Sequence, residues 1–294
     1  MNTGKILSIL TIVAAIMLAQ PSSAQMLYEP ETAHYQTPQV PESIVFAGQT
    51  YRFDRPDLYE RMDRELIAFT YSHTLSTLML KRSGRIFSQV VPILKKNGVP
   101  EDLKYLMAIE SNLDPQAISK SGAGGLWQFM KATGRGYGLE VGDEVDERFH
   151  IAKATEAACK YLKEAYAKYG DWMTVAASYN AGQGGISGRL DAQQEERAMD
   201  LLLPEETSRY MFRILTAKYF FEHPEQFGYH IAPDSCYAYK APRKIIEVKE
   251  AVPSLVEFAK KHGTSLYLLR LANPWLRSDQ LSNKSGKTYR IAIP

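Results

Sequence analysis

The sequence predicts a mainly α fold with a small β-α-α-β module at the C-terminus. Apolar residues recur every three to four positions through most of residues 56–228, which is the period of an amphipathic helix. Beyond this region the pattern changes. Two short β-type runs, residues 244–248 and 288–293, flank two short helical patterns at residues 254–262 and 265–271.

The composition is ordinary for a globular protein. Of 294 residues, 45% are hydrophobic and 23% are charged. The 35 basic and 33 acidic residues leave a net charge of +2, and no run of like charge indicates a nucleic-acid-binding arm. The sequence therefore predicts no nucleic-acid partner.

Residues 1–24 have the pattern of a secretory signal peptide. One lysine precedes the apolar stretch Ile6–Leu18, and the small residues Ser22 and Ala24 occupy the positions that a signal peptidase requires. We predict cleavage before Gln25 and export from the cytoplasm. An uncleaved anchor is the alternative, although the apolar stretch falls short of the ~20 residues that span a bilayer.

The region between the signal peptide and the helices is rich in proline. Residues 25–55 show little periodicity and are predicted to form an extended N-terminal arm. Residues 229–243 are predicted to be a linker between the helical domain, residues 56–228, and the C-terminal module, residues 244–294.

Two cysteines occur, Cys159 and Cys236. Export would permit a disulfide, but two cysteines can equally be buried thiols, and the sequence leaves both possibilities open. No His/Cys cluster has the spacing of metal ligands. We therefore expect no metal and no cofactor, and we expect chelators to leave activity unchanged.

A carboxylate falls on the apolar face of the third predicted helix. Two helical patterns, from Leu58 to Leu78 and from Ile86 to Leu94, precede it, and Pro100 opens it. Its apolar face contains Leu103, Leu106 and Met107, and the next position on that face is Glu110. Burial raises the pKa of a carboxyl group, as a general acid near neutral pH requires.

A glycine-rich loop follows this helix. Gly122, Gly124 and Gly125 permit a close approach of the backbone to a ligand or a helix. Trp127, Gln128 and Phe129 then offer aromatic and amide groups of the kind that line sugar sites. Further helical patterns run from Ala154 to Tyr169, from Trp172 to Tyr179 behind an Asp171 cap, and from Thr207 to Phe221.

Four blocks together resemble the goose-lysozyme-like lytic transglycosylases of the SLT family, within the membrane-bound lytic murein transglycosylase D group. The blocks are Glu110-Ser111, GLWQF at residues 125–129, SYNAG at 178–182 and PEETSRY at 204–210. The resemblance covers roughly residues 42–294. One departure is Ser178, where the family usually has alanine.

The resemblance implies a lysozyme-like helical catalytic domain with Glu110 as its single catalytic residue. Glu110 would protonate the glycosidic oxygen between N-acetylmuramic acid and N-acetylglucosamine in peptidoglycan glycan strands. As a carboxylate it would then deprotonate the muramic C6 hydroxyl, which closes onto C1 to give a 1,6-anhydro sugar. Asp114 is the tempting second carboxylate, but an Asp-Pro pair is more typical of a helix end and a turn.

The resemblance also carries over binding positions. Ser119 corresponds to a serine near the substrate's acetamido group, with a capping role as the alternative. Tyr210 corresponds to a tyrosine that hydrogen-bonds the catalytic carboxylate. The other matched positions line the groove or support it: Gln128, Phe129, Met130, Tyr179 and Asn180.

The C-terminal module resembles a degenerate LysM domain, a fold that holds glycans containing N-acetylglucosamine. The usual Gly-Asp-Thr-Leu is missing, and residues 250–253 read EAVP instead. Glycan binding and a purely structural role both remain open for this module.

The sequence therefore predicts an exported, periplasmic lytic transglycosylase whose partner is peptidoglycan, at the membrane or the cell wall. Two alternatives remain. One is a hydrolytic muramidase on the same fold, and the other is a catalytically inert wall-binding protein. The intact Glu110 argues against the second alternative.

Overall fold

The computed structural model describes residues 37–284 and 286–294, which belong to the compact unit Gln36–Pro294. The predicted signal peptide, residues 1–24, and the first part of the predicted arm lie outside the described residues. Within the described part of the chain the fold is mainly α, as predicted.

A β-hairpin occupies part of the region that we predicted to be an extended arm, so that prediction is wrong for residues 43–52. Strands β1 (Ser43–Phe46) and β2 (Gln49–Arg52) pair antiparallel. Ala47 and Gly48, between the strands, both have positive φ, as a tight hairpin turn requires. Alternate side chains of the hairpin are buried in the core, and this two-residue period drives its formation: Ile44, Phe46, Tyr51, Phe53.

Two helices follow, as predicted, but the break between them lies earlier than the apolar pattern indicated. Helix α1 spans Pro56–Tyr71 and α2 spans His73–Lys96. Between them the Ser72 hydroxyl donates back to the Ala68 carbonyl, 2.7 Å away. Leu75 therefore belongs to the second helix.

Six further helices complete the helical region. They are α3 (Leu103–Ser111), α4 (Lys131–Gly136), α5 (Ile151–Tyr169), α6 (Trp172–Ala181), α7 (Gln183–Gln193) and α8 (Glu205–Glu222). Helix α6 is central, because it packs against α5, α7 and α8. The Asp171 carboxylate accepts the Thr174 N–H at 2.7 Å and caps α6, which confirms the predicted cap.

The C-terminal module has the predicted β-α-α-β order. Strand β3 (Lys244–Val248) pairs antiparallel with β4 (Tyr289–Ile293), and helices α9 (Leu255–Lys261) and α10 (Leu266–Ala272) lie between them in sequence. Ser254 and Ser265 cap the two helices through their hydroxyls. The hydrophobic core of the module is separate from the main core and includes Val145 and Phe149 of the helical region.

The segment predicted to be a linker, residues 229–243, lies against the helical region. Tyr229 is buried in the main core. The Tyr237 N–H donates to the Lys81 carbonyl on α2 at 2.7 Å, and the Lys81 and Arg85 cations lie over the Tyr237 ring. Packing on α2 thus fixes the course of this segment.

Both cysteines are free thiols, Cys159 buried and Cys236 partly exposed. No helix within the described part of the chain combines the length and apolarity needed to cross a membrane.

Candidate active site

Glu110 lies in the last turn of α3. Leu103, Leu106 and Met107 on the same helix are fully buried, as the apolar face predicted, whereas Glu110 is only partly buried. The helix ends at Asn112 and Leu113, which both adopt the left-handed conformation. The carboxyl group is therefore held by buried packing on its helix but retains access to the surface.

Tyr210 on α8 donates a hydrogen bond from its hydroxyl to Oε1 of Glu110, at 2.5 Å. The Tyr210 side chain is buried. Helices α3 and α8 pack against each other, so the fold joins two residues that are far apart in sequence. The predicted contact is present in the structure.

The pKa of Glu110 is raised, and burial is the main cause. The Tyr210 hydrogen bond and the charge of Arg213 lower the pKa, and the charge of Glu206 raises it further. The carboxyl group therefore holds its proton to a higher pH than an exposed glutamic acid would.

Asp114 is engaged in the turn that follows α3. Its Oδ1 accepts the Gln116 N–H at 2.9 Å, and its Oδ2 lies 3.7 Å from an Arg82 nitrogen. These contacts agree with the expected turn role of the Asp-Pro pair.

Ser119 is exposed and stabilises its own loop. Its Oγ accepts the Ala123 N–H at 3.0 Å, and its backbone N–H donates to the Ala123 carbonyl at 2.9 Å. Ser119 therefore stabilises a turn and does not cap a helix, since the next helix begins at Lys131, and its hydroxyl proton has no part in these bonds.

The glycines of the loop approach protein backbone. A Cβ on Gly125, where φ is +74°, would lie 1.9 Å from the Arg148 carbonyl oxygen. A Cβ on Gly124 would lie 2.9 Å from the Phe149 ring. The close approach that these glycines permit is therefore to residues 148 and 149.

The predicted aromatic lining is wrong for Trp127 and Phe129, because both rings are buried. Trp127 donates from Nε1 to the Thr155 hydroxyl at 3.0 Å, and the Phe129 ring packs between Tyr137 and Tyr179. Both rings are apolar and pack in the core, and this packing fixes the path of the loop.

The remaining predicted binding residues fall into two groups. Gln128 has positive φ, and its Nε2 donates to the carbonyls of Ala117 and Gly125, so that nitrogen is engaged in the loop. Met130 is exposed at the end of the loop, whereas Asn180 is partly buried near the end of α6.

Tyr179 connects the loop with α6, which packs against α8, the helix that carries Tyr210. The Tyr179 hydroxyl donates to the Trp127 carbonyl at 2.6 Å. The pKa of Tyr179 is raised well above its usual value, first by burial and next by the charge of Glu110.

Two charged residues near Glu110 were missed by the sequence analysis. Arg213 and Glu206 lie about one helical turn on either side of Tyr210, so helical spacing around Tyr210 would have identified them. A cavity of about 200 Å³ lies between α1, α2, α3 and α8. Its wall includes Arg213, which also borders an adjoining cavity beside Glu206.

Within the residues that the structure describes, no group of three or more His, Cys, Asp or Glu side chains is placed to hold a metal ion.

Two family models match the chain. Residues 92–201 match the transglycosylase SLT domain, and residues 244–294 match the soluble lytic transglycosylase C-terminal LysM-like domain.

Relatives are found among characterised proteins. Membrane-bound lytic murein transglycosylase D of Escherichia coli (strain K12) is 30% identical over 207 residues, which are 68% of this chain and 44% of that protein. Peptidoglycan transglycosylase gp16 of Escherichia phage T7 is 36% identical over 122 residues, which are 40% of this chain and 9% of that protein. The chain thus spans less than half the length of these relatives.

Among solved structures, an inactive mutant of the lytic transglycosylase Slt from Pseudomonas aeruginosa matches with a TM-score of 0.38 and 20% identity, over 48% of this chain and 24% of that chain.

From the two family matches and the homology to membrane-bound lytic murein transglycosylase D, the chain carries a transglycosylase SLT domain followed by a LysM-like domain of the kind found at the C-terminus of soluble lytic transglycosylases.

Proposed function

We propose that this chain is an exported peptidoglycan lytic transglycosylase. It cleaves the β-1,4 bond between N-acetylmuramic acid and N-acetylglucosamine and leaves 1,6-anhydromuramic ends. The observation that carries the proposal is the hydrogen bond from Tyr210, just beyond the SLT match, to Glu110 within that match. The names of the relatives support the same substrate and reaction.

Glu110 acts first as an acid and then as a base. Burial favours the protonated carboxyl group, which passes its proton to the glycosidic oxygen as the bond to the muramic C1 breaks. The resulting carboxylate takes the proton of the muramic C6 hydroxyl, whose oxygen bonds to C1. The proton lost in the first step is regained in the second, and no water is consumed.

The Tyr210 hydrogen bond distinguishes the two carboxyl oxygens of Glu110. Because Tyr210 donates to Oε1, a proton on the neutral carboxyl group belongs on Oε2. We assign Oε2 as the oxygen that faces the glycosidic bond, and Tyr210 as the group that orients it.

Groove contacts come from the loop and from the end of α6. The Ser119 hydroxyl proton is the donor for the acetamido group, the Gln128 side-chain oxygen and Met130 contact the sugar, and Tyr179 and Asn180 support the groove. Phe129 acts indirectly, because its buried ring holds the loop in place.

A hydrolytic muramidase is the second candidate, and Glu206 is the observation that favours it. Its charge acts on Glu110, and it borders the cavity on α8. Glycosidases that use water commonly position two carboxyl groups about the scissile bond. Under this alternative Glu206 would activate the water.

Digestion of purified peptidoglycan, followed by mass spectrometry of the released muropeptides, separates these candidates. We expect anhydromuropeptides from the unaltered chain and from Glu206→Gln, and none from Glu110→Gln. Reducing-end products that disappear in Glu206→Gln would instead identify a muramidase. Wall binding without any product would identify an inert binding protein.

The substrate lies outside the cytoplasm, so the proposal includes export to the periplasm by the predicted signal peptide, residues 1–24. The mass of the protein recovered from the periplasm tests this, with an N-terminus at Gln25 as the expected result. An intact N-terminus in a membrane fraction would indicate the uncleaved anchor.

A further inference from the structure

The C-terminal module packs on a segment of the SLT domain, residues 140–149, which we call the docking segment. Val145 and Phe149 of this segment are buried in the core of the module, together with module residues such as Leu276. The Arg277 guanidinium lies over the Phe149 ring, 4.2 Å from its centre. The module core is therefore completed by the helical region.

Hydrogen bonds reinforce the contact. The Asp146 N–H donates to the Trp275 carbonyl at 2.9 Å, and the Arg277 N–H donates to the Glu144 carbonyl at 2.8 Å. The Glu144 carboxylate accepts from the backbone N–H and the hydroxyl of Ser282, at 2.7 and 2.6 Å.

A second carboxylate of the docking segment holds the closing strand of the module. Glu140 accepts the Tyr289 hydroxyl at 2.9 Å and the Lys287 ammonium at 2.9 Å. Backbone, hydroxyl and charged donors thus fix the module in one position on the docking segment.

Arg148 projects from the docking segment to the loop. It is buried and pairs with Asp146 at 2.7 Å. Its Nη1 donates to the carbonyls of Gly122 and Phe129, at 2.8 and 2.9 Å. One buried guanidinium therefore binds both ends of the loop segment 122–129.

The same loop is joined to α6 through Tyr179, whose hydroxyl donates to the Trp127 carbonyl. Helix α6 packs against α8, and Tyr210 on α8 donates to Glu110. Contacts thus run from the module through Arg148, the loop and Tyr179 to the helix whose tyrosine holds Glu110.

We propose that Arg148 is a positioning residue, and that the docked module, held by Glu140 and Glu144, keeps Arg148 in the place where it fixes the loop beside Glu110. The module thereby acts on turnover, in addition to any glycan it binds. The effect on turnover rests on the proposed function and is called the catalytic half of this inference. The effect of Arg148 and the module on the order of the loop does not rest on it and is called the mechanical half.

Two arginines that each pair with an aspartate provide a matched pair for the mechanical test. Arg148→Lys keeps a cation next to Asp146 but loses the guanidinium, whose Nη1 reaches two carbonyls while Nε and Nη2 bind Asp146. Arg270→Lys makes the same change on an arginine of the module, which pairs with Asp279. Hydrogen–deuterium exchange in the full chain is read at the Gly124 and Gly125 amides, which bond within the loop.

We expect exchange at these two amides to be about tenfold faster in Arg148→Lys and unchanged in Arg270→Lys. Amides in α3 and α8 should keep their protection in both variants, which shows that the fold is retained. Loop amides with wild-type exchange in Arg148→Lys would overturn the role of Arg148.

The double variant Glu140→Gln, Glu144→Gln tests the module without altering Arg148. Glu257→Gln, an exposed carboxylate on α9, is the control for loss of charge on the module. We expect faster exchange at the Asp146 and Arg277 amides and at the loop amides of the double variant, and none of these changes in the control. Wild-type exchange at the loop amides of the double variant, with or without faster exchange at the Asp146 and Arg277 amides, would show that the module does not position Arg148.

Kinetics on soluble, uncrosslinked peptidoglycan strands then tests the catalytic half. We expect kcat of Arg148→Lys and of the double variant to fall about tenfold with KM within about twofold, since positioning acts on the reacting geometry. A rise in KM alone would overturn the positioning role. If exchange behaves as expected but no form of the chain cleaves peptidoglycan, the proposed function fails while the mechanical coupling stands.

Discussion

The Tyr210 hydroxyl donates to Oε1 of Glu110 at 2.5 Å, from a helix that lies far from Glu110 in sequence. This bond lowers the pKa of Glu110, while burial of the carboxyl group raises it. Burial is the larger effect. Tyr210 therefore limits the rise in pKa and leaves a carboxyl group that can both donate and recover a proton.

Loss of the Glu110 carboxyl should remove activity without unfolding the chain. Glu110→Gln keeps the shape and the acceptor for Tyr210 but cannot donate or accept the transferred proton. We expect the rate to fall by at least about 10³, because one residue supplies both the acid and the base. Release of anhydromuropeptides measures the rate, and circular dichroism checks the fold. Activity within about tenfold of the wild type would remove Glu110 from the mechanism.

The neighbours of Glu110 should shift its pKa in opposite directions. Tyr210→Phe and Arg213→Gln each remove an influence that lowers the pKa, so the alkaline limb of kcat/KM should move to higher pH. Glu206→Gln removes a charge that raises the pKa, so the limb should move to lower pH. A pH series of initial rates measures all three. If all three variants shifted the alkaline limb in the same direction, the limb would reflect the titration of a group other than Glu110.

Stability should depend on pH through the same carboxyl group. The pKa of Glu110 in the folded chain lies above its unfolded value. Its stabilising contribution is therefore complete below the unfolded pKa and is lost as pH rises through the folded pKa. Glu110→Gln cannot ionise, so its Tm relative to the wild type should rise across that window and then level off. Thermal melts at matched pH values test this, and a constant difference in Tm would argue against a raised pKa.

Glu110 could be located from the sequence because helical periodicity is local. Leu103, Leu106 and Met107 define a buried face, and the next position on it is acidic. The contact with Tyr210 joins two distant helices, and no local pattern encodes it. The contact between Glu110 and Tyr210 was predicted from the resemblance to the family.

The burial of the Trp127 and Phe129 rings could not be predicted from local periodicity. Trp127 and Phe129 follow a run of glycines, and only the folded loop determines that their rings turn inward. Arg148 was missed for a related reason. An arginine two residues after an aspartate looks like surface charge, yet the pair is buried beneath the loop.

The glycine positions in the loop should differ sharply in tolerance. Gly125→Ala introduces a Cβ 1.9 Å from the Arg148 carbonyl oxygen, at a residue with φ of +74°. Both the contact and the left-handed backbone oppose a side chain, so we expect a loss of at least about 2 kcal/mol in the free energy of unfolding. Urea denaturation followed by circular dichroism measures it.

Gly136→Ala is the matched control. Gly136 lies in helix α4, and a Cβ there would meet no atom within 4 Å. Alanine is the better helix former, so this variant should gain about 0.5 to 1 kcal/mol. Because the two substitutions add the same methyl group, a difference in sign between them measures the combined effect of the close approach to Arg148 and the left-handed backbone at Gly125. Equal effects would mean that the loop yields to the added Cβ, and that its path is set by contacts other than those of the glycine backbone.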